Sequence, residues 1–468
     1  MFRLVVCAFV LGIACKGDHP PAPAASLVDP CAKASMEGSL AWIADDYPAA
    51  MACARAKHVP LVLDLWAPWC HTCLSMQTTV LVDPSFATDQ ARFVFAKLDT
   101  DRDQNARPME KLAPSAWPTF YVIGNDDAVL ARFVGAASVA QFHEFLDAGL
   151  AATKGGADAA GAHLLSAERA LAVKDLATAD TELEAGLAAA PQDWPRRAEL
   201  LNSLVLTKYK LANYPGCIAL TTNYLEQLGD AAVTSDFIAT GTMCADADRR
   251  TDQASQDAIM ILRNAAVARW KRLLAQSKQL SIDDRSDAMA NLRETVEKLG
   301  DKPAARAIAL EQRELLDRAA AKAPSPLAAM TYNWPRAEVY AYLGKPLDLV
   351  PALEKSAADL PNEYDPRARL GWLYLRAQDY PNAAKWTDQA LAMVYGPRKG
   401  RLLALRAEIA AAQHDPATEL KLREQAVALF DGLPKGQQSP ESLEQARAAL
   451  AKLRASGSGS GSSGSATR

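Results

Sequence analysis

The chain has 468 residues, 50% of them hydrophobic and 23% charged, with a net charge of −4. That length exceeds one ordinary core and calls for two or three globular domains. The mild acidity gives no footing for nucleic acid or an anionic surface, and no apolar run approaches the roughly 20 residues of a membrane helix.

Met1-Phe2-Arg3 carries one positive charge, and residues 4–14 are almost wholly apolar, as in a short export signal. The run ends at Leu11-Gly12-Ile13-Ala14-Cys15, ahead of a Pro/Ala-rich stretch over 19–25. This resembles a bacterial lipoprotein signal, which implies a lipid on Cys15. Gly12 departs from it, standing where that signal usually has leucine, and an ordinary secretory signal with an incidental cysteine is the alternative. Residues 1–14 are expected as signal and 15–36 as tether. The expected location is the periplasmic side of a bacterial envelope, with the lipid as the only membrane attachment. Of eight cysteines, Cys7 would leave with the signal and Cys15 would carry lipid. The other six suggest three pairs in a compartment that permits disulfides: Cys31 with Cys53, Cys70 with Cys73 and Cys217 with Cys244. The first pair rests only on what the others leave over.

A first domain is expected over 37–152. Tyr47–Lys57 is alanine-rich and reads as a helix leading into the apolar strand Leu61–Trp66. That strand ends in the corner Trp69-Cys70-His71-Thr72-Cys73, and the helix beyond runs to about Val80. Cysteines three apart at a helix start lie on one face. A thiolate there is favoured by the free N–H groups and the dipole, which can lower its pKa into the range of about 3.5–7.5. The stretch reads as a thiol–disulfide exchange site. No second CxxC or histidine pair offers a metal its further ligands, so no metal and no cofactor is expected. After a short helix beyond Pro84, a strand is expected at 93–98 and a helix at 104–113. Trp117-Pro118-Thr119 opens a strand to Ile123, a hairpin follows at Asn125-Asp126-Asp127, and Val129–Val134 is its partner. A helix over 139–150 closes an α/β unit with a mixed sheet.

In order, Asp64, Trp66, the Trp69-Cys70-x-x-Cys73 corner, Ala96-Lys97-Leu98-Asp99, Trp117-Pro118-Thr119, Gly135 and Glu144-Phe145-Leu146-Asp147 span about ninety residues. This set resembles a secreted thioredoxin-fold domain, in particular the C-terminal periplasmic domain of DsbD reductases. The resemblance implies an exposed attacking Cys70, a resolving Cys73 and a cis Pro118 beside the disulfide. Trp69, His71 and Trp117 would meet the substrate; Trp117 departs from the aliphatic residue common there. Asp64 is the candidate acceptor for the Cys73 proton, because burial raises a carboxylate's pKa. Lys97 is its candidate partner, and a surface carboxylate is the plainer reading of Asp64. A protonated His71 would stabilise the Cys70 thiolate; a solvated residue at the helix start is the alternative.

From 160 to 454 strand signals vanish and alanine–leucine patterns dominate. Asp379-Tyr380-Pro381 echoes Asn213-Tyr214-Pro215, and Leu370-Gly371, Tyr374, Ala383 and Ala390-Leu391 resemble a tetratricopeptide repeat. Stacked units of this kind share a core and present a groove to a protein partner. A turn near Leu228-Gly229-Asp230 would set Cys217 and Cys244 abreast on neighbouring helices. Residues 455–468 read as a disordered Gly/Ser tail. The expectation is an exported thiol–disulfide oxidoreductase acting on disulfides of envelope proteins, recharged by a separate electron donor. The alternative is an envelope adaptor working through its helical array.

Overall fold

The computed structural model describes residues 29–155 and 158–458. The expected signal, Cys15, most of the tether and residues 459–468 of the expected tail lie outside the described residues.

Six strands form one sheet in the order β1-β2-β4-β3-β5-β6. They are β1 Ser35–Glu37, β2 Leu40–Ala44, β3 Leu61–Trp66, β4 Val94–Asp99, β5 Thr119–Ile123 and β6 Val129–Val134. Helices α1 Tyr47–Lys57, α2 His71–Ser75, α3 Ala106–Met109 and α4 Val139–Thr153 accompany them. β3 lies inside, parallel to β4 and antiparallel to β5. Every residue from Leu61 to Leu65 is buried, the near-continuous apolar run of a strand covered on both faces. Its alternate residues divide. Leu61, Leu63 and Leu65 pack with Ala50, Met51 and Ala54 of α1, while Val62 joins Phe120, Phe142 and Phe145 on the opposite side.

Two differences from expectation concern the edges of this domain. Residues 31–36, placed with the tether, belong to the sheet domain: β1 pairs with β2, and Cys31 is bonded to Cys53 in α1. A three-residue, fully exposed edge strand leaves no alternating pattern to read. The helix expected over 104–113 shrinks to a 3₁₀ turn and the four residues of α3. The chain beyond is drawn away, the Ala113 N–H donating to the Ala172 carbonyl at 2.9 Å.

Sixteen helices follow among the described residues: α5 Ala159–Ala172, α6 Leu176–Ala189, α7 Arg197–Lys210, α8 Tyr214–Tyr224, α9 Ala232–Ala247, α10 Gln253–Gln276, α11 Ile282–Lys298, α12 Lys302–Lys322, α13 Pro326–Met330, α14 Asn333–Tyr342, α15 Val350–Asp359, α16 Asp365–Arg376, α17 Tyr380–Leu391, α18 Gly396–Ala412, α19 Pro416–Gly432 and α20 Pro440–Ser458. α20 runs into the segment expected as tail. One turn recurs between hairpin partners. A residue with positive φ (Lys174, Ala212, Gly300, Gln378, His414) precedes an Asp or Asn cap. Asp175, Asn213, Asp301, Asp379 and Asp415 then each accept from the N–H three residues on. The result is a stack of helical hairpins, the architecture expected of tetratricopeptide-type repeats. Among the described residues no helix is long and apolar enough to cross a membrane.

The sheet and the array are not separate bodies. One apolar core runs from Phe120, Leu130 and Phe133 through Leu164, Leu200 and Trp270 as far as Ala305 in α12. Beyond α12 the apolar clusters are small and local.

Candidate functional site

The corner after β3 places Cys70 as the cap of α2, and the Cys73 N–H donates to the Cys70 sulfur at 3.0 Å. The two sulfurs are bonded to each other. Cys70, Cys73 and Ala67 pack with Trp66, Trp69 and Trp117. The rings of Trp69 and Trp117 lie 5.2 Å apart, and the Trp117–Pro118 bond beside them is cis. The Trp117 indole N–H donates to Thr100 Oγ1 at 2.8 Å, that of Trp69 to Asp101 Oδ2 at 2.8 Å. Cys70, Trp69, Trp117 and Pro118 thus meet at one surface of the sheet domain.

Asp64 projects from β3 on the same side as Val62 and is 1% exposed. Gln77, one turn beyond Cys73, reaches it at 3.4 Å, while Oδ1 has no hydrogen-bond partner. Burial pushes its carboxyl up to about 7, with Gln77 and Lys97 opposing weakly. A cavity of about 10 Å³ beside it, lined by Glu37, Trp42, Gln77 and Lys97 among others, is close to the minimum for one water. Asp64 is therefore a buried group able to hold a proton near neutrality and not a surface carboxylate. The expected Lys97–Asp64 pair is absent. Lys97 lies opposite Asp64 in register, but its ammonium contacts both oxygens of Glu37 at 2.7 and 2.6 Å. Glu37 in β1 went unread because β1 itself did.

The main correction concerns Cys70. It was expected to be exposed, and it is 5% exposed. The helical array packs against the corner on both sides of it, at Trp69 and at His71. Trp69 packs with Tyr364, Ala368, Val394 and Leu402. Its carbonyl accepts from Arg369 at 3.3 Å, and the Arg398 guanidinium lies 5.0 Å from its ring centroid. Arg369 is itself paired with Asp365 at 2.7 Å. Tyr395 donates to Asp99, and Gln437 donates to the Thr100 carbonyl at 2.9 Å. At Gly396 and Gly436 the array's backbone meets the sheet domain so closely that an added Cβ would lie 2.0 Å from the Asp101 oxygen and 1.8 Å from the Ala106 oxygen.

His71 is only partly exposed. Its Nδ1 lies 3.0 Å from both oxygens of Asp283, a buried residue of α11. Burial of the ring opposes its charge, but the Asp283 and Asp287 carboxylates overcome this and raise its pKa to about 10. Donor atoms of His71, Asp283 and Asp287 fall within 4.8 Å of one another, close enough to surround a cation. The Nδ1 of His71 is already paired with Asp283. The other two bonded pairs lie apart from this surface: Cys31–Cys53 ties the turn before β1 to α1, and Cys217–Cys244 joins α8 to α9.

A family model described as thioredoxin-like matches residues 41–123. A tetratricopeptide repeat protein from Parabacteroides merdae is similar at 12% identity and a TM-score of 0.41, covering 63% of this chain and 99% of its own. The TPR2AB domain of yeast Sti1, solved as a complex with pHSP90, is similar at 12% identity and a TM-score of 0.23, over 63% of this chain and 98% of its own. Sheet order, the capped Cys70–Cys73 pair and the family match make the N-terminal unit a thioredoxin-like domain, onto which a helical-repeat array is folded.

Proposed function

We propose that the protein is an exported thiol–disulfide oxidoreductase whose working groups are Cys70 and Cys73. The observation that carries this is the cysteine pair capping α2 together with the buried Asp64 of the preceding strand, one of whose oxygens has no hydrogen-bond partner. In the dithiol form the Cys70 thiolate attacks a substrate disulfide. A Cys70–substrate bond forms, and one substrate sulfur leaves as a thiolate. Cys73 passes its proton to Asp64, directly or through one water, and attacks the Cys70 sulfur. The Cys70–Cys73 bond forms, the second substrate thiol departs, and two electrons have moved to the substrate. A separate dithiol donor must return them. Cys31–Cys53 and Cys217–Cys244 support an oxidising compartment, consistent with export and a lipid on Cys15. The substrates on this reading are disulfides of envelope proteins.

Equilibration with thiol buffers tests the reading. The Cys70–Cys73 couple should fall within the range of exchange catalysts, about −120 to −270 mV, and the other two disulfides below about −300 mV. A Cys70–Cys73 bond as resistant to reduction as the other two would overturn it. The burial of Cys70 favours a second reading, an adaptor whose disulfide only braces the corner, and that result would select it.

A further inference from the structure

An exchange site whose attacking sulfur is 5% exposed cannot meet a protein disulfide as it stands, because the incoming sulfur must reach Cys70 directly. The covering elements differ in how they are held. Helices α5–α12 share the sheet's core and are fixed to it. Past α12, only Trp69 of the sheet domain joins their apolar clusters among the described residues. The other contacts of that half with the sheet domain are chiefly polar or backbone: Arg369 on the Trp69 carbonyl, Arg398 on the Trp69 ring, Tyr395 on Asp99 and under Arg102, Gln437 on Thr100, Lys435 on Glu110, and the glycine seats at 396 and 436, while α13 lies against α2. Its own helices pack on one another through Leu353, Leu370 and Leu373 and through Ala383 and Ile409. It is therefore cohesive within itself and held to what it covers mainly by polar contacts, without the extended apolar core that fixes α5–α12. Its link to the fixed half is a small apolar contact, Ala309 and Leu316 against Val339 and Leu343, ringed by polar and cation–π contacts: Arg336 and Tyr340 on Asp317, Arg313 on the Tyr340 ring and Arg293 on the Tyr342 ring.

We propose that the segment from α14 to α20 is a lid over the Cys70–Cys73 pair, swinging about the α12–α14 junction, and that it decides which disulfides react. The inference rests on the oxidoreductase reading and deepens it. Closed, the lid withholds Cys70 from any thiol or disulfide in solution. Open, it frees Trp69 and with it Cys70, and clears the face of α16 and α18 that held Trp69. A substrate enters by displacing Arg369 and Arg398 from that indole.

The test is alkylation of the reduced, full-length protein by a bulky maleimide, with modification at Cys70 read by mass spectrometry. In the wild type the rate should fall at least about tenfold below that of the same thiol in urea. Arg369→Ala should raise it about tenfold or more, the effect of one lost charge-assisted hydrogen bond on an opening equilibrium, and Gly436→Ala, whose methyl group would collide with the Ala106 oxygen, should raise it by a similar factor. Arg423→Ala, which breaks an ion pair with Glu419 inside α19, should leave it unchanged. Wild-type Cys70 reacting at the urea rate, or rates unmoved in both variants, would overturn the lid. Rapid alkylation of the opened variants without reduction of insulin disulfides would instead refute the oxidoreductase reading and leave the lid standing.

Discussion

Replacing Asp64 by asparagine should stabilise the protein while slowing its chemistry. The carboxyl titrates near 3.8 when solvated and at about 7 in the fold, because burial disfavours its charge. The folded chain thus holds this proton more tightly than the unfolded chain does. Stability is withdrawn as pH climbs from about 4 to about 7, and the loss is complete above that. At 1.36 kcal/mol per pKa unit, a shift of about three units amounts to about 4 kcal/mol at pH 8. Asparagine cannot ionise, so Asp64→Asn escapes this loss. Urea unfolding of both proteins, with all disulfides intact, should give equal midpoints at pH 4. At pH 8 the variant should be more stable by up to about 4 kcal/mol. In the same variant the release of a mixed disulfide by Cys73 should slow about a hundredfold or more, as loss of a general base does. A stability difference that does not change between pH 4 and pH 8 would refute the argument, since only ionisation of a buried Asp64 produces that dependence.

Glu37→Gln should free Lys97 to turn toward Asp64, its neighbour in register, and so lower the pH at which Asp64 ionises; infrared carboxyl bands followed against pH would show the midpoint moving acidward. Replacing Cys217 and Cys244 together by alanine opens a link of sequence separation 27 and should cost about 3–4 kcal/mol of stability. The reduction potential of the Cys70–Cys73 couple should not move. Gly371→Ala would set a methyl group 2.2 Å from Thr387 Oγ1 between α16 and α17 and should cost about 1–3 kcal/mol, read as a lower melting temperature.

Much of the sheet domain was legible because its residues act through neighbours in sequence. The apolar run of β3, the cysteine corner and the Trp117-Pro118-Thr119 entry to β5 each carry a local pattern. The hairpin turns of the array are local as well, an Asp or Asn cap followed by an alanine–leucine face. What covers the corner was not legible. Arg369 reaches Trp69 across 300 positions, and Tyr395 reaches Asp99 across 296. Gly396 and Gly436 make contact through their backbones, so no side-chain pattern announces them. The partner of Lys97 was misread for a related reason. A residue opposite Asp64 in register is near enough to suggest a pair, yet the better-solvated Glu37 offered an ammonium two oxygens without burying a charge.

The unbroken packing from Phe133 through Leu164 to Trp270 bears on how this molecule can be divided. Cutting after residue 155, where the family resemblance invites it, would strip the flank of Leu130 and Phe133 and leave that fragment prone to clump. A cut in the turn between α12 and α13 crosses far less oil, so the severable piece is the far end of the helices and never the redox unit alone.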